Sequence, residues 1–176
     1  MEDGIKIRKL VPKDAEQYVR LHNKVWRHAY KHIFPEQVFL DKEAKTQIKI
    51  DDFPNWINRS PQEINYAVEI GGKIVGCMSA SLCSNYDYFK KDNYAELISL
   101  YVLPEYQGAG IGSKLKKVFV DWAKENGATK YVIGVLEDNF KARKVYEKWG
   151  GKLNEYTKPF VKLNVEYKEV FYTIEL

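Results

Sequence analysis

The chain has 176 residues, 45% of them apolar and 30% charged, with a formal net charge of +4. That length suits one compact domain with a single buried core, and the composition excludes a disordered or collagen-like chain. No run approaches the roughly 18 apolar residues of a membrane span, and the basic residues are interspersed with acidic ones, so neither a membrane nor a nucleic acid is expected as partner.

The start, Met1-Glu2-Asp3-Gly4, is acidic and carries no apolar leader, which points to a cytoplasmic location. Cys77 and Cys83 are expected on one strand. Six strand residues span about 20 Å, beyond the roughly 7 Å Cα limit for a disulfide, so both read as reduced thiols.

Ile5 to Leu10 reads as a first strand, and Pro12 suits the start of a helix running to about Tyr30. Pro35 opens a second helical stretch through Phe39 and Leu40, and Asp51 to Pro61, with two prolines, reads as an irregular linker. Ile64 to Ile70 and Lys73 to Leu82 alternate like strands around Gly71-Gly72, a two-residue hairpin signal. Cys83 to Asn93 reads as a loop, and Tyr94 to Leu103 as an apolar strand closed by Pro104. Ile111, Leu115, Val118, Phe119 and Trp122 form one apolar stripe on a helix that ends near Gly127. Tyr131 to Leu136 is a strand, Asn139 to Trp149 a helix closed by Gly150-Gly151, and Leu153 to Leu163 and Val165 to Ile174 two final strands. The strand from Tyr94, the helix from Gly110 and the strand from Tyr131 make a parallel crossover, expected to be right-handed.

One turn in this pattern carries chemistry. After the strand from Tyr94 come Gln107-Gly108-Ala109-Gly110-Ile111-Gly112-Ser113, and a helix begins at once. Glycines let the backbone approach a ligand, and the helix N-terminus adds unpaired N–H donors with a partial positive charge, so phosphate is the expected guest. A tight turn alone needs one glycine. The order Gly112-Ser113-Lys114 does not make a P-loop, and G-x-G-x-G in mid-chain is not a dinucleotide fingerprint.

Gln107-x-x-Gly110-x-Gly112, preceded by Leu100-Tyr101-Val102-Leu103-Pro104-Glu105-Tyr106, resembles the pyrophosphate motif of the GNAT superfamily of N-acetyltransferases. Asn139-x-x-Ala142-x-x-x-Tyr146-Glu147-Lys148-x-Gly150 is similar to that family's second cofactor segment. The resemblance implies an α/β (α+β) fold over residues 1–176 as a single domain. Its sheet would be mixed, mostly antiparallel and of about seven strands, with a central parallel pair splayed around acetyl-coenzyme A and about four flanking helices. It implies acetyl transfer to a primary amine through a ternary complex, with coenzyme A as product and no metal.

Residue by residue, it implies that backbone N–H groups from Gly108 through Ala109, Gly110, Ile111 and Gly112 to Ser113 hold the pyrophosphate. The strand edge at Leu100, Tyr101 and Val102 would pair with the pantetheine arm. Asn139 would hydrogen-bond the cofactor, Ala142 would leave room for it, and Tyr146 would face its sulfur. Independently, positions 139, 142 and 146 share one helix face. Gly151 departs from the family pattern, which often has an aromatic residue there.

Only the neutral amine attacks, and an alkylammonium with a pKa near ~10.4 is less than about 0.1% neutral at pH 7. A base or a proton-relaying water is therefore expected, and Glu96, eleven residues before Gln107, occupies a spacing at which some family members carry a glutamate base. Tyr146 is the candidate acid for the departing thiolate. A phenol near ~10 donating to a thiolate near ~8.5 works uphill by about 2 kcal/mol, which Arg143 one turn away would ease if it pointed inward.

For the acceptor, Trp26, Tyr30 and Phe34 would line one face of the first helix if it continued that far, as core or as acceptor wall. Tyr86, Asp87 and Tyr88 offer a carboxylate and two aromatic faces to a cationic amine, or form a solvated loop. His28 and His32 lie at i, i+4 without a third ligand at metal spacing, and His22 stands alone. A polyamine, an amino acid, a peptide N-terminus, an aminoglycoside and a lysine side chain all stay open as acceptors, as do monomer and homodimer. A regulatory domain that binds acyl-coenzyme A without chemistry is the alternative reading.

Overall fold

The structure is a computed structural model and describes residues 4–176. The acidic start at Met1 to Asp3 lies outside the described residues.

Seven strands form one sheet in the order β1-β2-β3-β4-β5-β7-β6. They are β1 (Ile5–Lys9), β2 (Glu63–Ile70), β3 (Lys73–Ser81), β4 (Ala95–Val102), β5 (Lys130–Leu136), β6 (Lys152–Lys162) and β7 (Val165–Glu175). The helices are α1 (Ala15–Tyr30), α2 (Glu36–Ala44), α3 (Thr46–Ile57), α4 (Asp87–Lys90), α5 (Ile111–Glu125) and α6 (Phe140–Lys148). β4 and β5 are the parallel pair, in register at Ala95↔Tyr131 and Glu96↔Val132. Around them β1–β2, β5–β7 and β6–β7 pair antiparallel. This is the mixed sheet that the resemblance implies, with six α-helices among the described residues where about four were expected.

The chain divides into two compact units. One is built from the residues up to Ala80 with Ser99–Phe119, the other from Ser81–Ile98 with Val120–Leu176. In the first, Tyr18 of α1 packs against Phe53 and Trp56 of α3, with ring centroids 5.1 and 5.0 Å away. Those contacts correct the first part of the linker expected at Asp51 to Pro61, because α3 runs on to Ile57 with Pro54 inside; only residues 58–61 lie outside the helix. Phe53 is 2% exposed. Burying it outweighs the local cost of the proline, which removes one backbone donor. The β2–β3 hairpin turns at Gly71 and Gly72, with φ of 57° and 79°, the left-handed pair of a two-residue turn.

In the second unit, Phe89, Val132 and Phe171 form a buried cluster, with Tyr86, Tyr94 and Tyr156 packed against it. Phe89 belongs to α4, a single helical turn inside the segment expected to be loop. Cys77 lies in β3, but Cys83 falls beyond that strand's end at Ser81, which corrects its expected place. Both cysteines are free.

Candidate active site

In the first unit, β4 ends at Val102, a short 3-10 turn follows at Pro104–Tyr106, and the glycine turn leads into α5. Gly108 and Gly110 take φ of 84° and 77°, a region that side chains strain to adopt. No atom lies within 4 Å of where a Cβ would stand on either, so the space over both glycines is open. Gln107 Nε2 donates to the Val102 carbonyl at 3.0 Å and ties the turn to the strand end. Lys114 N–H donates to the Gly110 carbonyl at 3.1 Å. The N–H groups of Ile111, Gly112 and Ser113 therefore precede that helical bond, in the geometry that binds anions.

A glycine inside β3 seats this turn. A Cβ on Gly76 would stand 3.0 Å from the Tyr101 carbonyl oxygen, with Val102 Cγ2 at 3.5 Å and Ile111 Cγ2 at 3.6 Å. Its absence lets β4 and the first residue of α5 come close. Gly112 is looser, with Leu100 Cδ2 3.7 Å from its Cβ position. His22, which stands alone in the sequence, stacks on Tyr18 at 5.9 Å and meets Tyr101 edge-on at 5.1 Å. Burial, backed by Lys42 and Lys49, lowers its pKa to about 3, so the imidazole is neutral.

In the second unit, Glu96 is 4% exposed at the second residue of β4. Its Oε2 accepts from the Asn85 N–H at 2.6 Å, Asn85 Nδ2 at 3.1 Å and the Ser84 hydroxyl at 3.3 Å. These three donors come from the loop after β3 and fix the carboxylate in place. A second carboxylate, Glu169 of β7, accepts the Tyr86 hydroxyl at 3.1 Å. Burial raises the Glu169 carboxyl, and nearby Glu96 adds to the rise. Burial likewise raises Tyr86, followed by the charges of Glu169 and Glu96.

Asn139 caps α6, its Oδ1 accepting the Ala142 N–H at 3.2 Å. Asn139 is buried, and Ala142, Arg143, Tyr146 and Trp149 are half-buried along one face of α6, as the spacing predicts. Arg143, which would ease proton transfer from Tyr146 if it pointed inward, makes two bonds to other groups. Its Nε donates to the Tyr172 hydroxyl at 3.1 Å and its Nη1 to the Glu137 carbonyl at 2.9 Å. The Tyr146 ring lies 6.0 Å from Tyr172 and 5.7 Å from Trp149. A Cβ on Gly151 would stand 2.8 Å from the Tyr146 carbonyl oxygen, so the departure at that position makes room for the tyrosine's own backbone.

The acceptor candidates separate. α1 stops at Tyr30, so Phe34 lies beyond the helix that the aromatic stripe required. It nevertheless stacks on Trp26 at 5.2 Å, and with Tyr30 and Phe39 it forms a packed cluster. Asp87 is exposed and pairs with Lys90 at 3.1 Å, while Tyr88 stacks on Tyr156 at 4.4 Å. Tyr86 alone of that trio bonds to a carboxylate of β7. Sequence reasoning missed Glu169 and the two strand glycines, Gly76 and Gly134. An isolated glycine inside a strand pattern was the available signal of a close approach.

The sequence model of the acetyltransferase (GNAT) family matches residues 21–151. An uncharacterised N-acetyltransferase of Methanocaldococcus jannaschii is 24% identical over 89% of this chain, which spans 65% of that relative's length. One of Archaeoglobus fulgidus is 24% identical, with 81% of this chain and 89% of the relative covered. Among solved structures, the PaiA N-acetyltransferase of Thermoplasma acidophilum in complex with coenzyme A superposes with a TM-score of 0.74 at 21% identity, covering 98% of this chain and 99% of that one. The family match spans well over half of the sequence, and the chain belongs to the acetyltransferase (GNAT) family.

Proposed function

We propose that this chain, as a single domain, transfers the acetyl group of acetyl-coenzyme A to a primary amine within a ternary complex. The observation that carries the reading is the turn from Gln107 to Ser113, where two left-handed glycines with open space over them lead into a helix N-terminus. A diphosphate fits that cradle by charge and by room.

When bound, the thioester supplies an activated carbonyl carbon. Backbone N–H groups of Gly108 to Ser113 bind the diphosphate, and the main chain of Leu100 to Val102 pairs with the pantetheine arm. Asn139 donates from its side chain to the cofactor, its Oδ1 being used by the helix cap. Glu96 receives the amine proton, directly or through a water, as the N–C bond forms and the C–S bond breaks. Tyr146 Oη gives its proton to the departing sulfur. The buried, triply bonded carboxylate of Glu96 is held rigid for that task.

The test is thiol release from acetyl-coenzyme A against a panel of primary amines, beside a calorimetric titration of acetyl-coenzyme A. Release with at least one amine is expected. Binding without any release would replace the enzyme by a sensor domain, and failure to bind would remove both.

A further inference from the structure

We infer that Tyr172 is a positioning residue for Tyr146: with Arg143 and Glu147 it pins α6 to β7 and so aims the Tyr146 hydroxyl at the departing sulfur. This rests on the proposed acid role of Tyr146 and adds the groups that hold it there.

The anchor starts in the sheet. Tyr172 stands on β7 opposite Ile133 of β5 and Leu153 of β6, so its strand is paired on both sides. It is 1% exposed. Its hydroxyl accepts from Arg143 Nε at 3.1 Å and donates to Glu147 Oε1 at 2.8 Å. Residues 143 and 147 are one turn apart on α6 and share a face, and Tyr146 lies between them in the chain. A single phenol bonded to both opposes rotation of the helix about its axis and sliding along it. Arg143 Nη1 also donates to the Glu137 carbonyl at 2.9 Å, which ties the same guanidinium to the residue after β5.

Tyr146 is seated on the same group. Its ring meets Tyr172 edge-on, with centroids 6.0 Å apart and planes at 67°. Its carbonyl accepts the Gly151 N–H at 2.9 Å. A Cβ on Gly151 would stand 2.8 Å from that carbonyl oxygen and 3.2 Å from Tyr172 Cδ1. The missing side chain at 151 thus leaves room for the Tyr172 ring beside the helix end. Tyr172 itself holds rather than reacts, because its proton is committed to the Glu147 carboxylate. Burial raises its pKa above the ordinary phenol value, so it stays protonated at neutral pH. Proton transfer from Tyr146 depends on hydrogen-bond reach to the sulfur, and a misplacement of about 1 Å is enough to cost rate.

The experiment removes the hydroxyl and keeps the ring. Tyr172→Phe in the full chain should lower kcat at least tenfold, with the amine KM and the Kd of acetyl-coenzyme A within twofold. Glu147→Ala, at an exposed position, should lower kcat in the same way, and Glu147→Gln, which still accepts the bond, should recover most of that loss. A double-mutant cycle then separates positioning from general stability. In the Tyr146→Phe background, Tyr172→Phe should cost less than twofold more. Losses that multiply overturn the inference, since Tyr172 would then act independently of Tyr146. Geometry is read without turnover from the NMR signals of ring-labelled tyrosine in the protein saturated with coenzyme A. The Tyr146 signals should move in Glu147→Ala, and signals that stay in place also overturn the inference. Moving signals in a protein that releases no thiol with any amine fail the transferase reading and leave the anchor standing.

Discussion

At the scale of single residues, the distinction is between groups that touch a ligand and groups that hold them. Tyr146 sits among Tyr172 and Trp149 with its backbone closely packed by Gly151, so removing one oxygen leaves that packing intact. Tyr146→Phe is therefore expected to lower turnover at least tenfold at unchanged acetyl-coenzyme A affinity, read by steady-state kinetics and calorimetry; unchanged turnover removes the acid role. His22 is a case of holding. Its pKa is depressed by burial to about 3 in the folded chain, against about 6.5 unfolded, so the unfolded state binds the extra proton between those values. Its contribution is complete above about pH 6.5 and is lost as pH falls toward 3. His22→Phe should flatten that part of the acid loss, visible as a smaller drop in urea midpoint from pH 7 to pH 5 than in the unsubstituted chain.

At the scale of elements, the hairpin at Gly71-Gly72 and the crossover through α5 are legible because local chemistry and tertiary need agree there. α3 is where they disagree. Pro54 and the Asp51-Asp52 pair argue against a helix locally, while Phe53 and Trp56 supply the apolar area that Tyr18 covers. If that contact decides the helix, Phe53→Ala should cost about 3–4 kcal/mol in urea denaturation. Ile48→Ser on the same helix, where Ile48 is 68% exposed, should stay within about 0.5 kcal/mol. α4 escapes a sequence reading for the same reason, since one turn has no periodicity to show and is fixed by Phe89 packing on Val132 and Phe171.

At the scale of the whole molecule, the sequence by itself determined the succession of strands and helices along the chain, the parallel crossover and the glycine turn, because each is written in short-range patterns of glycine, proline and apolar spacing. It also determined the shared face of Asn139, Ala142 and Tyr146, which follows from helical pitch alone. Only the tertiary structure decided that Arg143 serves Tyr172, that Trp26 and Phe34 pack together as a cluster, and that Tyr86 reaches Glu169 across 83 positions of sequence. Those outcomes depend on strand register and on which side chains share a sheet face. A one-residue slip would reverse that facing, and no local pattern records it.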